Sequence, residues 1–185
     1  MWAYPILVAV AAGDAVFPIL PSETIAIICG IQAARGELSL GWVLALAAAG
    51  AFSGDNASYS IGRFAGAPAA RRLFRGEKAK ERVERAREFL SKRGSYVLVV
   101  ARFVPGGRTA TTFTAGLVHV AWMRRFAPLI ALAAVLWSLY SVFLGYLGGK
   151  LFRDKPLYAV ILALGVALAI TAAVEGGRRV FAARS

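Results

Sequence analysis

Four charged residues stand inside otherwise apolar sequence: Glu23, Asp55, Arg102 and Arg108. Isolated ions in such a setting are very costly, and pairing lowers the cost. The chemistry open to this set is anion binding by guanidinium groups and proton exchange by carboxylates. Arg108 follows Pro105-Gly106-Gly107. It is expected in the first turn of a helical arm, where the dipole disfavours a cation. The backbone N–H groups of Gly107, Arg108 and Thr109 would point at the same tip, which suits phosphate. The expected phosphate-binding residues are therefore Arg102, Arg108, Gly106, Gly107 and Thr109. Glu23 and Asp55 are expected to compensate the arginines and to exchange protons. A plainer alternative is that the four charges only neutralise one another and lock the chain together. Asp14 either joins the acidic set or lies at its mouth. His119, the single histidine, reads as an interfacial or helix-end residue rather than a catalytic one. Thr111, Thr112 and Thr114 are expected to hydrogen-bond locally. Tyr59, Trp42, Trp122 and Tyr158 are expected to anchor or pack.

These residues need elements to hold them, and composition says what kind. Of 185 residues 58% are hydrophobic, with mean hydropathy +0.62. That suits an integral membrane protein rather than a soluble domain. The net charge is +12. Residues 69–93 hold ten Lys/Arg against four Glu, a net +6 and half of the total. Nucleic-acid binding is the usual rival reading of a basic chain. Here the basic residues adjoin apolar spans, so an anionic membrane surface is the expected partner and nucleic acid is not. One cysteine, Cys29, excludes an intramolecular disulfide and reads as a packing residue. No removable signal peptide, metal site or cofactor is expected.

The expected fold is all-α and integral to the membrane. Residues 1–35 hold two short apolar arms around a break that contains Asp14, Pro18, Pro21 and Glu23. Neither arm reaches the ~20 residues of a full span. They read as a re-entrant hairpin, with Ser22 as a candidate N-cap and Glu23 in the first turn. Residues 38–62 read as a span in which Gly50, Ala51, Ser53, Gly54, Ala57 and Ser58 allow close helix approach, so Asp55 faces protein. Residues 69–93 read as a basic amphipathic surface helix, which the Lys/Arg excess assigns to the cytoplasm. Residues 94–120 read as a second re-entrant hairpin, and irregular backbone at that depth must be covered by protein or line a wet cavity. Residues 126–149 and 156–175 read as two further spans, about three in all. Pro21-Ser22-Glu23-Thr24 with Gly30 parallels Gly107-Arg108-Thr109 with Gly116. With one crossing between them, the hairpins enter from opposite faces, an inverted repeat of the kind that frames transporter sites.

The residues also resemble a known family. The run from Gly50 to Gly66, Gly-Ala-Phe-Ser-Gly-Asp-Asn-Ala-Ser-Tyr-Ser-Ile-Gly-Arg-Phe-Ala-Gly, is similar to the G-A-x-x-G-D-x-x-x-Y-x-I-G-R-x-x-G signature of the bacterial DedA membrane proteins. Arg102-Phe103-Val104-Pro105-Gly106-Gly107-Arg108-Thr109, with Ala115-Gly116, resembles their R-F-x-P-x-x-R-T…A-G signature, and Pro21-Ser22-Glu23 their Pro-x-Glu element. The resemblance covers roughly residues 15–150. Thr112 stands where the family often has proline, Ala133-Ala134 where it often has Gly-Ala, and His119 near a common methionine. The family shares the VTT (SNARE-associated) domain with eukaryotic lipid scramblases. The resemblance implies two opposed re-entrant hairpins and lipid movement across the membrane. For bacterial members it implies recycling of undecaprenyl phosphate, dependent on the proton motive force. Carried over by position, the family's functional acids fall on Glu23 and Asp55, and its functional arginines on Arg102 and Arg108.

The leading expectation is thus a multi-pass lipid-phosphate flippase of the bacterial cytoplasmic membrane, not an enzyme. Its partners would be a polyprenyl phosphate or phospholipid, the bilayer, and optionally a second copy of the chain. An energy-independent phospholipid scramblase is the alternative, separated by its indifference to a pH gradient. A membrane lipid phosphatase is a further one, but a single His and a single Cys leave little for a nucleophile and acid. A purely structural protein fits the four intramembrane charges least well.

Overall fold

The computed structural model describes residues 2–17, 20–66, 97–99, 107–151 and 165. The expected surface helix 69–93, the span 156–175, Arg102, Pro105 and Gly106 lie outside the described residues. Among the described residues every element is helical and no strand occurs. Five α-helices are present: α1 (Ala3–Gly13), α2 (Ser22–Ala34), α3 (Leu40–Phe64), α4 (Gly107–Leu117) and α5 (Ala127–Leu151). A π-helical turn, Trp122–Phe126, leads into α5. Among the described residues one helix, Trp122–Leu151, is long and apolar enough to cross a membrane. Leu132, Leu136, Leu139, Phe143 and Leu147 are exposed along it at helical spacing. The 25-residue α3 has the length, but Ser53, Asp55, Asn56, Ser58 and Ser60 interrupt its apolarity. α1 and α2, with 11 and 13 residues, are each shorter than a ~20-residue span.

Helix ends follow from local chemistry. Pro21 takes the cap position of α2 without a side-chain hydrogen bond, so Ser22 is the first helical residue rather than the cap. Glu23 is in the first turn, as its charge favours. α2 and α4 close in the same way. Gly36 N–H donates to Ala33 O and Glu37 N–H to Gln32 O, while His119 N–H donates to Gly116 O and Val120 N–H to Ala115 O. Both are Schellman motifs, whose C′ residue is left-handed. Gly36 has φ 79° and His119 has φ 59°. His119, expected at an interface or a helix end, thus stands at a helix end.

Contacts divide the chain into two units: Met1–Ala11, Ile19–Gly50 and Ala134–Ser185 in one, Ala12–Pro18 and Ala51–Ala133 in the other. In the first, α2 lies parallel to α5 through glycines. A Cβ on Gly30 would strike the Val142 carbonyl, and one on Gly145 the Ile27 carbonyl. Ser138 Oγ donates to Leu44 O at 2.7 Å, and Lys150 Nζ stands 4.7 Å over the Tyr146 ring. In the second, α4 lies parallel to α3 by the same device. A Cβ on Gly116 would strike the Tyr59 carbonyl, and one on Gly62 the Phe113 carbonyl. Its core gathers Tyr59, Leu98, Ala115, Val118, Phe126 and Ile130. The Tyr59 and Phe126 rings are 4.3 Å apart at their centroids. Tyr59 OH donates to Val120 O at 2.6 Å and accepts from Arg63 Nη1 at 3.0 Å. Trp122 Nε1 donates to Asn56 Oδ1 at 2.7 Å. The bonds of Tyr59 to Val120 and of Trp122 to Asn56 tie the chain after α4 back onto α3.

Candidate functional site: a buried arginine between two carboxylates

Arg108 is the second residue of α4. The buried stripe of that helix is Arg108, Thr112, Ala115 and Gly116, at intervals that put all four on one side. On α3, Ala51, Asp55, Ser58, Tyr59 and Gly62 are buried at helical intervals, while Ser53 and Ala57 are exposed. Small residues let the two stripes meet closely enough for a guanidinium to reach the backbone of its neighbour.

Arg108 uses three directions of its planar fork. Nε donates to Asp55 Oδ1 at 2.5 Å, Nη1 to Asp14 Oδ2 at 3.1 Å, and Nη2 to the Ala51 carbonyl at 3.0 Å. The Arg108 side chain is 9% exposed, that of Asp55 0% and that of Asp14 20%. Such charge-assisted bonds are about twice as strong as neutral ones. They hold a cation where the first-turn dipole would otherwise disfavour it. Asp14 reaches the site because Gly54 has no side chain: a Cβ there would collide with the backbone of Ala12, two residues before Asp14.

Asp55 and Arg108 are therefore brought together, as opposite charges in apolar sequence should be. Gly107 and Thr109 share the first turn with Arg108, and Thr111 Oγ1 donates to Gly107 O at 2.6 Å. Glu23 is in the first turn of α2, in the other unit. Sequence reasoning left the place of Asp14 open; the rule that placed Asp55, an acid within apolar sequence, also applies to it. It missed the link between Thr112 and Ser58, whose hydroxyl oxygens are 2.9 Å apart.

Among the described residues, one guanidinium meets two carboxylates, one fully buried and one partly exposed. The less buried carboxylate is the one that water, a proton or a competing anion reaches first. The arrangement can exchange one acceptor on Arg108 for another while Asp55 stays in place.

The VTT domain family matches residues 20–147. Protein DedA of Escherichia coli K12 is 30% identical over 160 residues, covering 82% of this chain and 71% of that protein. An uncharacterized membrane protein of Synechocystis is 34% identical over 153 residues, 81% of this chain and 68% of its own length. The inner membrane protein YohD of E. coli is 29% identical over 128 residues, 69% and 65% of the two chains. No solved structure shows a significant match. A family match over most of the chain, together with these relatives, establishes that the chain belongs to the VTT-domain, DedA family of membrane proteins.

Proposed function

We propose that this protein moves a lipid phosphate across the bacterial cytoplasmic membrane, with undecaprenyl phosphate as the substrate and protons as the coupled ion. The observation that carries the reading is Arg108, a buried guanidinium in the first turn of a helix with a partly exposed carboxylate on its Nη1. A phosphate oxygen can accept from Nη1 as Asp14 Oδ2 does. The first-turn N–H groups of Gly107, Arg108 and Thr109 have no intrahelical acceptor and favour an anion. In the proposed cycle the headgroup displaces Asp14 from Nη1, and Asp55 keeps Nε. A proton taken up by Asp14 lowers the cost of its losing a partner. Deprotonation returns Asp14 to Arg108 and expels the headgroup. The polyprenyl tail stays in lipid throughout.

Around this centre we place re-entrant hairpins at 1–35 and 94–120, opposed as an inverted repeat, with three crossings. The short α1, α2 and α4 support that reading, because none spans ~30 Å of hydrocarbon alone. Arg102 would add a second cation at the tip, and Glu23 would compensate it.

The test is headgroup transport in proteoliposomes. Arg108→Ala should lower the rate at least about tenfold, since a charge-assisted contact worth more than ~1.5 kcal/mol is lost. Arg108→Lys keeps a cation between the carboxylates and serves as the folded control, with intermediate rates because the fork is gone. Wild-type rates in Arg108→Ala would sink the reading. Rates indifferent to a pH gradient would remove the proton and leave a scramblase.

A further inference from the structure

The roles above leave unused a pair of buried hydroxyls next to Arg108. Thr112 lies one turn after Arg108 on the buried stripe of α4, and Ser58 lies one turn after Asp55 on α3; each is 2% exposed. Thr112 Oγ1 is 2.9 Å from Ser58 Oγ and 2.9 Å from the carbonyl oxygen of Arg108 itself. The carbonyl can only accept. Thr112 Oγ1 also lies 3.2 Å from the Thr109 carbonyl; with the Thr112 proton on a carbonyl of its own helix, the Ser58 hydroxyl is left to donate across the oxygen–oxygen contact, and both bonds coexist. The result is a bridge from α3 through Thr112 to the backbone of the residue whose side chain holds both carboxylates.

The other helix pair shows what happens without it. Matching the glycine contacts sets Ser141 at the place of Ser58 and Ala26 at the place of Thr112. The serine is there, but the threonine is not, and Ser141 Oγ is buried without a hydrogen-bond partner. The residue at the place of Arg108 is Ser22. The bridge thus accompanies the buried guanidinium and is missing where the guanidinium is missing.

We infer that Thr112 and Ser58 are positioning residues: their bridge fixes the first turn of α4 so that the Arg108 fork stays aligned with Asp55 and Asp14, and an anionic lipid headgroup meets a preset donor array. The alignment stands on geometry alone; only its consequence for headgroup binding rests on the function proposed above. A threonine that merely packs, or merely back-bonds its own helix, predicts something else. Valine has the same shape, so Thr112→Val would then leave Arg108 untouched.

The test uses the full chain in nanodiscs with 15N-labelled arginine. The Arg108 Nε–H resonance is assigned by its loss in Arg108→Lys. Thr112→Val should speed solvent exchange of that Nε–H about tenfold and weaken binding of farnesyl phosphate about tenfold, the size of one net hydrogen bond. Ser58→Ala should do the same, and the double variant no more, because the two residues form one bridge. Thr112→Ser should restore both readouts. Unchanged Nε–H exchange in Thr112→Val and Ser58→Ala overturns the inference, and if the valine variant does not fold, Ser58→Ala decides alone. Faster exchange with farnesyl phosphate binding equal in wild type, Thr112→Val and Arg108→Lys upholds the alignment and rejects the headgroup reading instead.

Discussion

The α3/α4 pair and the α2/α5 pair are packed through matching glycines. Gly116 approaches the Tyr59 carbonyl and Arg63 nitrogen as Gly30 approaches the Val142 carbonyl and Tyr146 nitrogen. Gly62 and Gly66 lie against Phe113 and Leu117 as Gly145 and Gly149 lie against Ile27 and Ile31. In both pairs a short arm runs along the long helix of the other half of the chain. What differs is the polar content at matching places. Asp55, Ser58, Arg108 and Thr112 in one pair correspond to Ser138, Ser141, Ser22 and Ala26 in the other. Close backbone contact is therefore the shared scaffold; among the described residues the α3/α4 pair adds the fully buried Asp55 with Arg108, while α2 carries the half-buried Glu23 in its first turn.

The largest effect should come from breaking the charged pair in one place and its uncharged counterpart in the other. Arg108→Ala takes the guanidinium away from the fully buried Asp55 and should cost about 3–5 kcal/mol. Ser22→Ala should cost about 1 kcal/mol or less. Reversible unfolding in mixed micelles measures both, and equal costs would erase the distinction. Next come the shared contacts. Gly62→Val and Gly145→Val should each destabilise by about 1–3 kcal/mol, and by similar amounts, because each Cβ meets a backbone carbonyl. A neutral result for either would break the equivalence of the pairs.

The helix ends sharpen the comparison at a smaller scale. Gly36→Ala should destabilise by about 1 kcal/mol and His119→Gly should stabilise by a similar amount, because the left-handed conformation penalises a side chain in both motifs. Melting curves of the two variants should move in opposite directions. The smallest effect is constructive. Ala26→Thr should give Ser141 its missing partner and raise stability by about 0.5–1 kcal/mol. A fall in stability would mean that the backbones of the two pairs diverge at that turn.

Sequence carried some of this and not the rest, for physical reasons. Helical character was legible because apolar runs broken by Pro, Gly and charge have few other solutions: α3 at 40–64 and α5 at 127–151 overlap the apolar stretches 38–62 and 126–149. The Asp55–Arg108 pair was legible because neither charge tolerates an apolar setting alone. The third member of the cluster was not, because Asp14 reaches Arg108 only through the absent side chain of Gly54, a fact of approach rather than of pattern. Thr112 was expected to bond within its own arm, and it does reach the Arg108 carbonyl. Its second bond, to Ser58, joins residues 54 positions apart, a separation over which helical spacing carries no information. The π-helical turn at Trp122–Phe126 had no sequence signal; its exposed Trp122 is held by a single bond to Asn56.

The three-way fork of Arg108 has one further consequence. Each of its edges already faces an oxygen of the protein itself, so the resting cradle is plugged by its own chain. A chloride ion or a stray water wire gains little by entering, because it would have to outcompete carboxylates that are tethered a few ångströms away. Under the proposed function, a guest with more than one charged oxygen, delivered from the lipid side at high local concentration, is the match for them. Such a self-filled cradle would then favour a many-oxygened guest over small ions.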